Sequence, residues 1–190
     1  MPYFTMEDDE YWEVPERLRA ITTNRKGRAE GGDAAPADRM DQVRSTQFIL
    51  GDPNDDRSPA ANVLDMPPGY GIGFHTHPCD VVMLVLKGSL HVPGKVLGPG
   101  DGMIADANEF YGPEIAGPDG CTRVEFFAEM RGFLEVTYQL EDGEPIVTRY
   151  LEELRPSFGR MGGMDEFWAM RDEVRAAISD RRRPEAPEGS

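Results

Sequence analysis

The 190-residue chain is poor in the residues that usually announce chemistry, with only three histidines and two cysteines. Cys79 and Cys121 form no metal or redox spacing by themselves, and in a reducing compartment no disulfide is expected. Positive charge is also scarce. Lys and Arg number 20 against 35 Asp and Glu, for a net charge of −15 and a pI near 4.6. Phosphate backbones need a basic footprint, so nucleic acid is excluded as an expected partner. The charge favours solubility and names no substrate. No apolar run approaches membrane-spanning length, so no membrane partner is expected. The acidic opening residues lack the positive, then apolar, pattern of a signal peptide, and a cytoplasmic location is the expectation.

What is present is punctuation, with 21 Gly and 16 Pro. From residue 45 onward, short apolar runs alternate with turn residues. Strands are expected at 45–50, 61–65, 81–86, 89–92, 95–97, 103–106, 121–128, 132–140 and 145–149. The stops between them include Gly51-Asp52-Pro53, Pro67-Pro68-Gly69, Lys87-Gly88, Pro93-Gly94 and Gly98-Pro99-Gly100. That spacing indicates an all-β sandwich or barrel. The flanks differ. Residues 1–44 read as an N-terminal arm carrying Tyr3, Phe4, Tyr11 and Trp12, followed by a mobile loop at 24–43 with almost no large apolar residue. Residues 151–190 form an extension in which Met164, Phe167, Trp168, Val174 and Ile178 recur at helical spacing. This predicts a helix over 164–183, stopped by Pro184, and a disordered polar tail. The barrel occupies 45–150.

The chain is organised around residues 69–88. His75 and His77 stand one residue apart, which on a strand sends both rings to the same face. Two adjacent imidazoles can hold a metal or grip a small ligand. The run that follows, 81–86, reads as a buried strand.

These residues resemble the cupins, small β-barrels of jelly-roll type. The first cupin motif is G-xxxxx-H-x-H-xxx-E-xxxxxx-G, and Gly69, His75, His77 and Gly88 fall in register with it. Val81 occupies the Glu position. The second motif is G-xxxxx-P-x-G-xx-H-xxx-N. Gly100 opens it, while Asp106, Asn108, Tyr111 and Ile115 hold its Pro, Gly, His and Asn positions. The resemblance implies an all-β, cupin-type jelly-roll β-barrel, here with an N-terminal arm and a C-terminal α-helix. It also implies metal ligation at His75 and His77. Tyr111 or Asp80 would complete the shell, the latter only if a bulge shifts the strand register. Iron, zinc, manganese, nickel or copper are the metals considered.

Other groups are weighed beside these. His91 reads as a strand-surface histidine and Cys79 as a small buried hydrophobe. Glu109 and Glu125 are further carboxylates, with Glu125 alternating with Arg123 and Phe127 along one strand. An apolar pocket is expected from Phe74, Met83, Val85, Met103 and Phe127. Three functions follow from the resemblance. The first is a metal-dependent enzyme of oxygenase, isomerase or lyase type acting on a small organic substrate. The second is a metal-free enzyme in which His75, His77 and Tyr111 do acid–base work, as in cupin-type sugar-nucleotide epimerases. The third is a non-catalytic small-molecule-binding cupin whose metal site has decayed. By analogy with cupins that pair through strands and terminal arms, a homodimer is expected.

Overall fold

The computed structural model describes Met6, Trp12 and residues 43–52, 54–140, 142–148 and 163–181. The loop expected at 24–43, apart from Val43, and the tail after Arg181 lie outside the described residues. So does most of the aromatic arm.

In chain order the elements are β1 (Arg44–Ile49), β2 (Ala60–Met66), β3 (Gly71–Ile72), β4 (His75–Thr76) and β5 (Val81–Val92). Then come β6 (Lys95–Leu97), β7 (Gly102–Ala105), β8 (Glu114–Phe127), the one-turn helix α1 (Met130–Leu134), β9 (Val136–Gln139), β10 (Pro145–Thr148) and α2 (Met164–Arg181). Two antiparallel sheets result. The larger runs β1-β2-β8-β5-β6, with β3 also on β8 and β7 also on β5; the smaller runs β10-β9-β4. The expected all-β barrel with a C-terminal helix is what the chain forms.

The two-residue period of β5 sets the inside and the outside. Val81, Met83 and Val85 are buried, while Val82, Leu84 and Leu86 are exposed. On β8, Arg123, Glu125 and Phe127 belong to the same interior face, because Met83 pairs with Glu125 and Val81 with Phe127. Met83, Val85, Leu90 and Leu97 pack with Leu64 and Met66 into the main apolar core.

Three local expectations are corrected. Lys87-Gly88 is not a turn between strands but a bulged point inside the 12-residue β5, where the register against β8 shifts. Gly88 has φ +73°, and a Cβ there would sit 2.1 Å from the Gly120 carbonyl oxygen, so only glycine allows the two strands to close at this point. The strand expected at 121–128 begins earlier, at Glu114, so that Gly117-Pro118-Asp119-Gly120 lies within β8. The stretch 132–140 is not one strand. It begins in α1 and becomes β9 only at Val136.

Helix α2 covers the smaller sheet and one end of β8. Phe167 and Val174 are buried against Ile115, Tyr138 and Leu140. Gly71 admits this packing, since a Cβ there would lie 2.6 Å from both Ile115 and Phe167 side chains. At the opposite surface, Trp12 packs on Val63 and Val124, and the Arg44 guanidinium lies 4.5 Å from its ring centroid. No helix among the described residues is long and apolar enough to cross a membrane.

Candidate functional site

His75 sits at the middle of a three-strand row. Its backbone N–H donates to the Tyr111 carbonyl, and its own carbonyl accepts the Tyr111 N–H in return, each at 2.9 Å. On its other side it pairs with Tyr138 of β9. The same-face rule then gathers Tyr111, His75 and Tyr138, with ring centroids 4.4 Å and 5.7 Å from His75. His77 lies just past the end of β4, and its ring meets that of His75 edge-on at 5.2 Å. Phe127, from the interior of the larger sheet, packs edge-on against His77 at 5.1 Å. Both histidines are buried, at 2% and 6% exposure, and Tyr111 is half-buried.

Each imidazole is held through one nitrogen. His75 Nδ1 lies 2.7 Å from the Gly73 carbonyl, and His77 Nδ1 lies 2.7 Å from the Gly132 carbonyl at α1. A carbonyl only accepts, so each Nδ1 carries the proton and donates. The Nε2 atoms then carry the lone pairs, the tautomer that a metal or a substrate proton requires. His77 Nε2 is buried with no hydrogen-bond partner among the described residues. Burial pushes both histidines down to about 4, and for His77 the neighbouring His75 adds to the effect. Both rings are therefore neutral at pH 7. Burial likewise drives the Tyr111 phenol well above its ordinary value, with Glu114 and Glu125 adding to the shift. Tyr111 is thus a hydroxyl donor rather than a phenolate.

The remaining expected residues divide. Phe127 reaches the pair. Met83 and Val85 lie in the main core with Met103 packed against them, and Phe74 stacks on Phe110 with centroids 5.4 Å apart. Asp80 is not beside them either. It is exposed, and its Oδ1 accepts the Ala107 N–H at 2.9 Å, because regular alternation from buried Val81 turns it outward. Glu109 is exposed. His91 is half-buried on β5, away from the pair, with burial lowering its pKa and Glu173 of α2 opposing. Cys79 is buried beside Val81 and Phe127, and burial raises its pKa, as suits an inert thiol.

Sequence reasoning missed Tyr138, Glu114, Asn62 and Gln47. A two-residue alternation of Arg123, Glu125 and Phe127 was the one signal of a polar interior, and the structure extends it. Arg123 bridges Glu114 at 2.8 Å and Glu125 at 2.6 Å, and Asn62 donates to Glu125 at 3.1 Å. Burial works to raise Glu125, but Arg123, His77 and Asn62 hold it below the usual carboxylate value. Glu114 was unreadable, since nothing in its local sequence separates it from a surface glutamate.

The second-motif position normally filled by glycine shows how a substitution keeps the geometry. Asn108 has φ +64°, the left-handed conformation that asparagine tolerates best among residues with a side chain. Its N–H donates to the His77 carbonyl at 2.8 Å, which ties the second-motif loop to the histidine segment.

For the metal test, the available donors are the Nε2 atoms of His75 and His77 and the oxygen of Tyr111. Among the described residues, no group of three or more His, Cys, Asp or Glu is placed to hold a metal ion. Two imidazoles held by backbone carbonyls fit a borderline transition metal whose remaining positions are filled by water or substrate. They do not fit a hard, carboxylate-demanding ion.

No family model and no curated protein matches the chain. Solved structures do. A chain of the Rhodobacter sphaeroides SigE complex with the anti-sigma ChrR is 25% identical at TM-score 0.37, over 64% of this chain and 61% of that one. An RmlC-like cupin from Ralstonia eutropha is 20% identical at TM-score 0.41, over 60% of this chain and 75% of that one. A putative acetylacetone dioxygenase from Methylibium petroleiphilum is 20% identical at TM-score 0.42, over 60% and 78%. The chain thus spans about three fifths of the first of these.

Proposed function

We propose that this chain is a β-barrel of the cupin type and a metal-dependent enzyme acting on a small organic substrate. His75 and His77 would hold the metal through Nε2, and Tyr111 would present its O–H to the substrate. The observation that carries this reading is the pair of Nδ1 tethers. Each ring spends its donor on a backbone carbonyl, and His77 Nε2 is left buried without a partner. A buried nitrogen with no partner costs free energy, on the order of 1–3 kcal/mol. A metal or a bound substrate group at that position removes the penalty.

The metal, when bound, supplies Lewis acidity towards a substrate oxygen. The chain's own residues do the rest. Gly73 and Gly132 fix the tautomers and the angle between the rings. Phe127 keeps water from His77. Tyr111, the half-buried member, faces whatever enters and holds its proton ready at the phenol oxygen.

A second reading keeps the same residues without a metal. It is supported by the protonated Tyr111 lying 4.4 Å, centroid to centroid, from a neutral His75, an adequate acid–base pair. A non-catalytic binding cupin is the third.

Metal analysis of protein purified without a histidine tag separates them. The expected result is close to one equivalent of a transition metal, lost in the double variant His75→Ala/His77→Ala. Less than about a tenth of an equivalent, with no rise in Tm when metals are added, would overturn the metal reading. Substrate turnover surviving in that double variant would overturn both enzyme readings.

A further inference from the structure

The interior of the larger sheet contains a charge cluster that the reading above does not use. Arg123, Glu114 and Glu125 are exposed by only 1%, 1% and 5%. Arg123 Nη1 meets Glu114 Oε2 at 2.8 Å, and Nη2 meets Glu125 Oε1 at 2.6 Å. The second oxygen of Glu125 accepts from Asn62 at 3.1 Å, and the Asn62 oxygen accepts from Gln47 at 3.0 Å. Glu114 Oε1 has no hydrogen-bond partner among the described residues. Two carboxyls therefore share one guanidinium in a place sealed from water, and Glu125 has the better of the sharing.

Sealing such a cluster costs stability compared with apolar packing of the same volume. One carboxyl in excess makes the cost larger unless a further cation completes it. The cluster lies beside the histidine site: Glu125 shares its face of β8 with Phe127, whose ring packs 5.1 Å from that of His77, and Glu114 follows by three residues Tyr111, which bridges His75. Burial raises the Glu114 carboxyl above its ordinary pKa, the response of a buried acid whose charge is incompletely matched.

We propose that Glu114 is a positioning residue of the His75/His77 site: its carboxyl, surplus to Arg123, is the counter-charge for a divalent transition-metal cation at the two Nε2 atoms. The inference rests on the metal reading of the preceding subsection. It deepens that reading by locating in the second layer, on β8, the negative charge that the site lacks at Val81 and Asp80. The carboxylate then stands on β8, which neighbours β5 and its Val81 in the same sheet.

The test is calorimetric titration of tag-free protein with Ni2+ or Zn2+ alone, with the Tm of the metal-free protein measured alongside. Glu114→Gln keeps the shape and removes the charge. It is expected to weaken metal binding by about tenfold or more, with a metal-free Tm equal to or above that of the wild type. Glu114→Asp, which retains the charge, is expected to recover at least half of the lost binding free energy. A purely structural role would change Tm and leave the dissociation constant alone. Glu114→Gln binding metal as tightly as the wild type would overturn the inference while leaving the metal reading intact. No metal binding by the wild type would overturn the metal reading and this inference together. If Glu114→Gln does not fold, Glu125→Gln removes one carboxylate from the same cluster, with the same expected weakening and the same overturning result.

Discussion

At neutral pH both imidazoles of the pair are uncharged, and this has a measurable consequence. Burial holds each near 4 in the folded chain, against about 6.5 when unfolded. Between those values the unfolded chain binds more protons than the folded one, so stability rises with pH. The contribution is complete above about pH 6.5 and is lost as pH falls towards 4, on the order of 3 kcal/mol for each ring. A Tm profile from pH 7.5 to 4.5 is expected to fall steeply through this window, and His75→Asn/His77→Asn to flatten it. An equally steep fall in that variant would place the sensitivity elsewhere. Tyr111 yields a second expectation at this scale. In any substrate assay that His75→Ala/His77→Ala abolishes, Tyr111→Phe should lower kcat by on the order of 10²–10⁴ and leave Tm nearly unchanged. A kcat equal to wild type would remove Tyr111 from the chemistry. Single residues were also where the sequence was most readable. Gly69, Gly88 and Gly100 take φ of +73°, +73° and +89°, so a glycine register recognised by spacing alone reflects a real backbone demand.

The elements explain how two histidines become a site. Helix α1 is only five residues long, yet the Gly132 carbonyl fixes the His77 ring. Gly132 has no room for a side chain, because a Cβ would lie 2.2 Å from Cys79 Sγ and 3.0 Å from Phe127. Gly132→Ala is therefore expected to destabilise the fold by roughly 1–3 kcal/mol and to weaken metal binding through His77. Adding Cys79→Ala should recover part of both losses, a non-additivity that chemical denaturation and metal titration can read. Strict additivity would show that the two side chains do not compete for the same space. Helix α2 has a different role. Phe167 is fully buried between it and the barrel, and Phe167→Ala is expected to cost about 3–5 kcal/mol. A Tm unchanged by that substitution would mean the helix does not contribute to the core. The sequence disclosed α2 because its apolar spacing is long and regular. It hid α1 because one turn carries too few residues to show a period, and because the flanking residues favour strands.

For the whole molecule, the exposed apolar residues Val82, Leu84, Leu86, Ile104 and Phe126 stand on the outer side of β5, β7 and β8. A homodimer, as the resemblance implies, would bury this face against a second copy despite the net charge of −15. Light scattering at moderate salt should return twice 21.2 kDa, and Phe126→Glu should shift it to the monomer. A wild-type mass near 21.2 kDa would rule the dimer out.

The sequence by itself determined the all-β class, the C-terminal helix, the paired histidines and the glycine register that the backbone requires at Gly69, Gly88 and Gly100. These depend on local period, backbone strain and residue type, which are written along the chain. Only the tertiary structure decided that Tyr138 joins His75 and that Glu114 shares Arg123 with Glu125. Those facts depend on cross-strand register, and register is set by the summed packing of both sheets rather than by any neighbour in sequence.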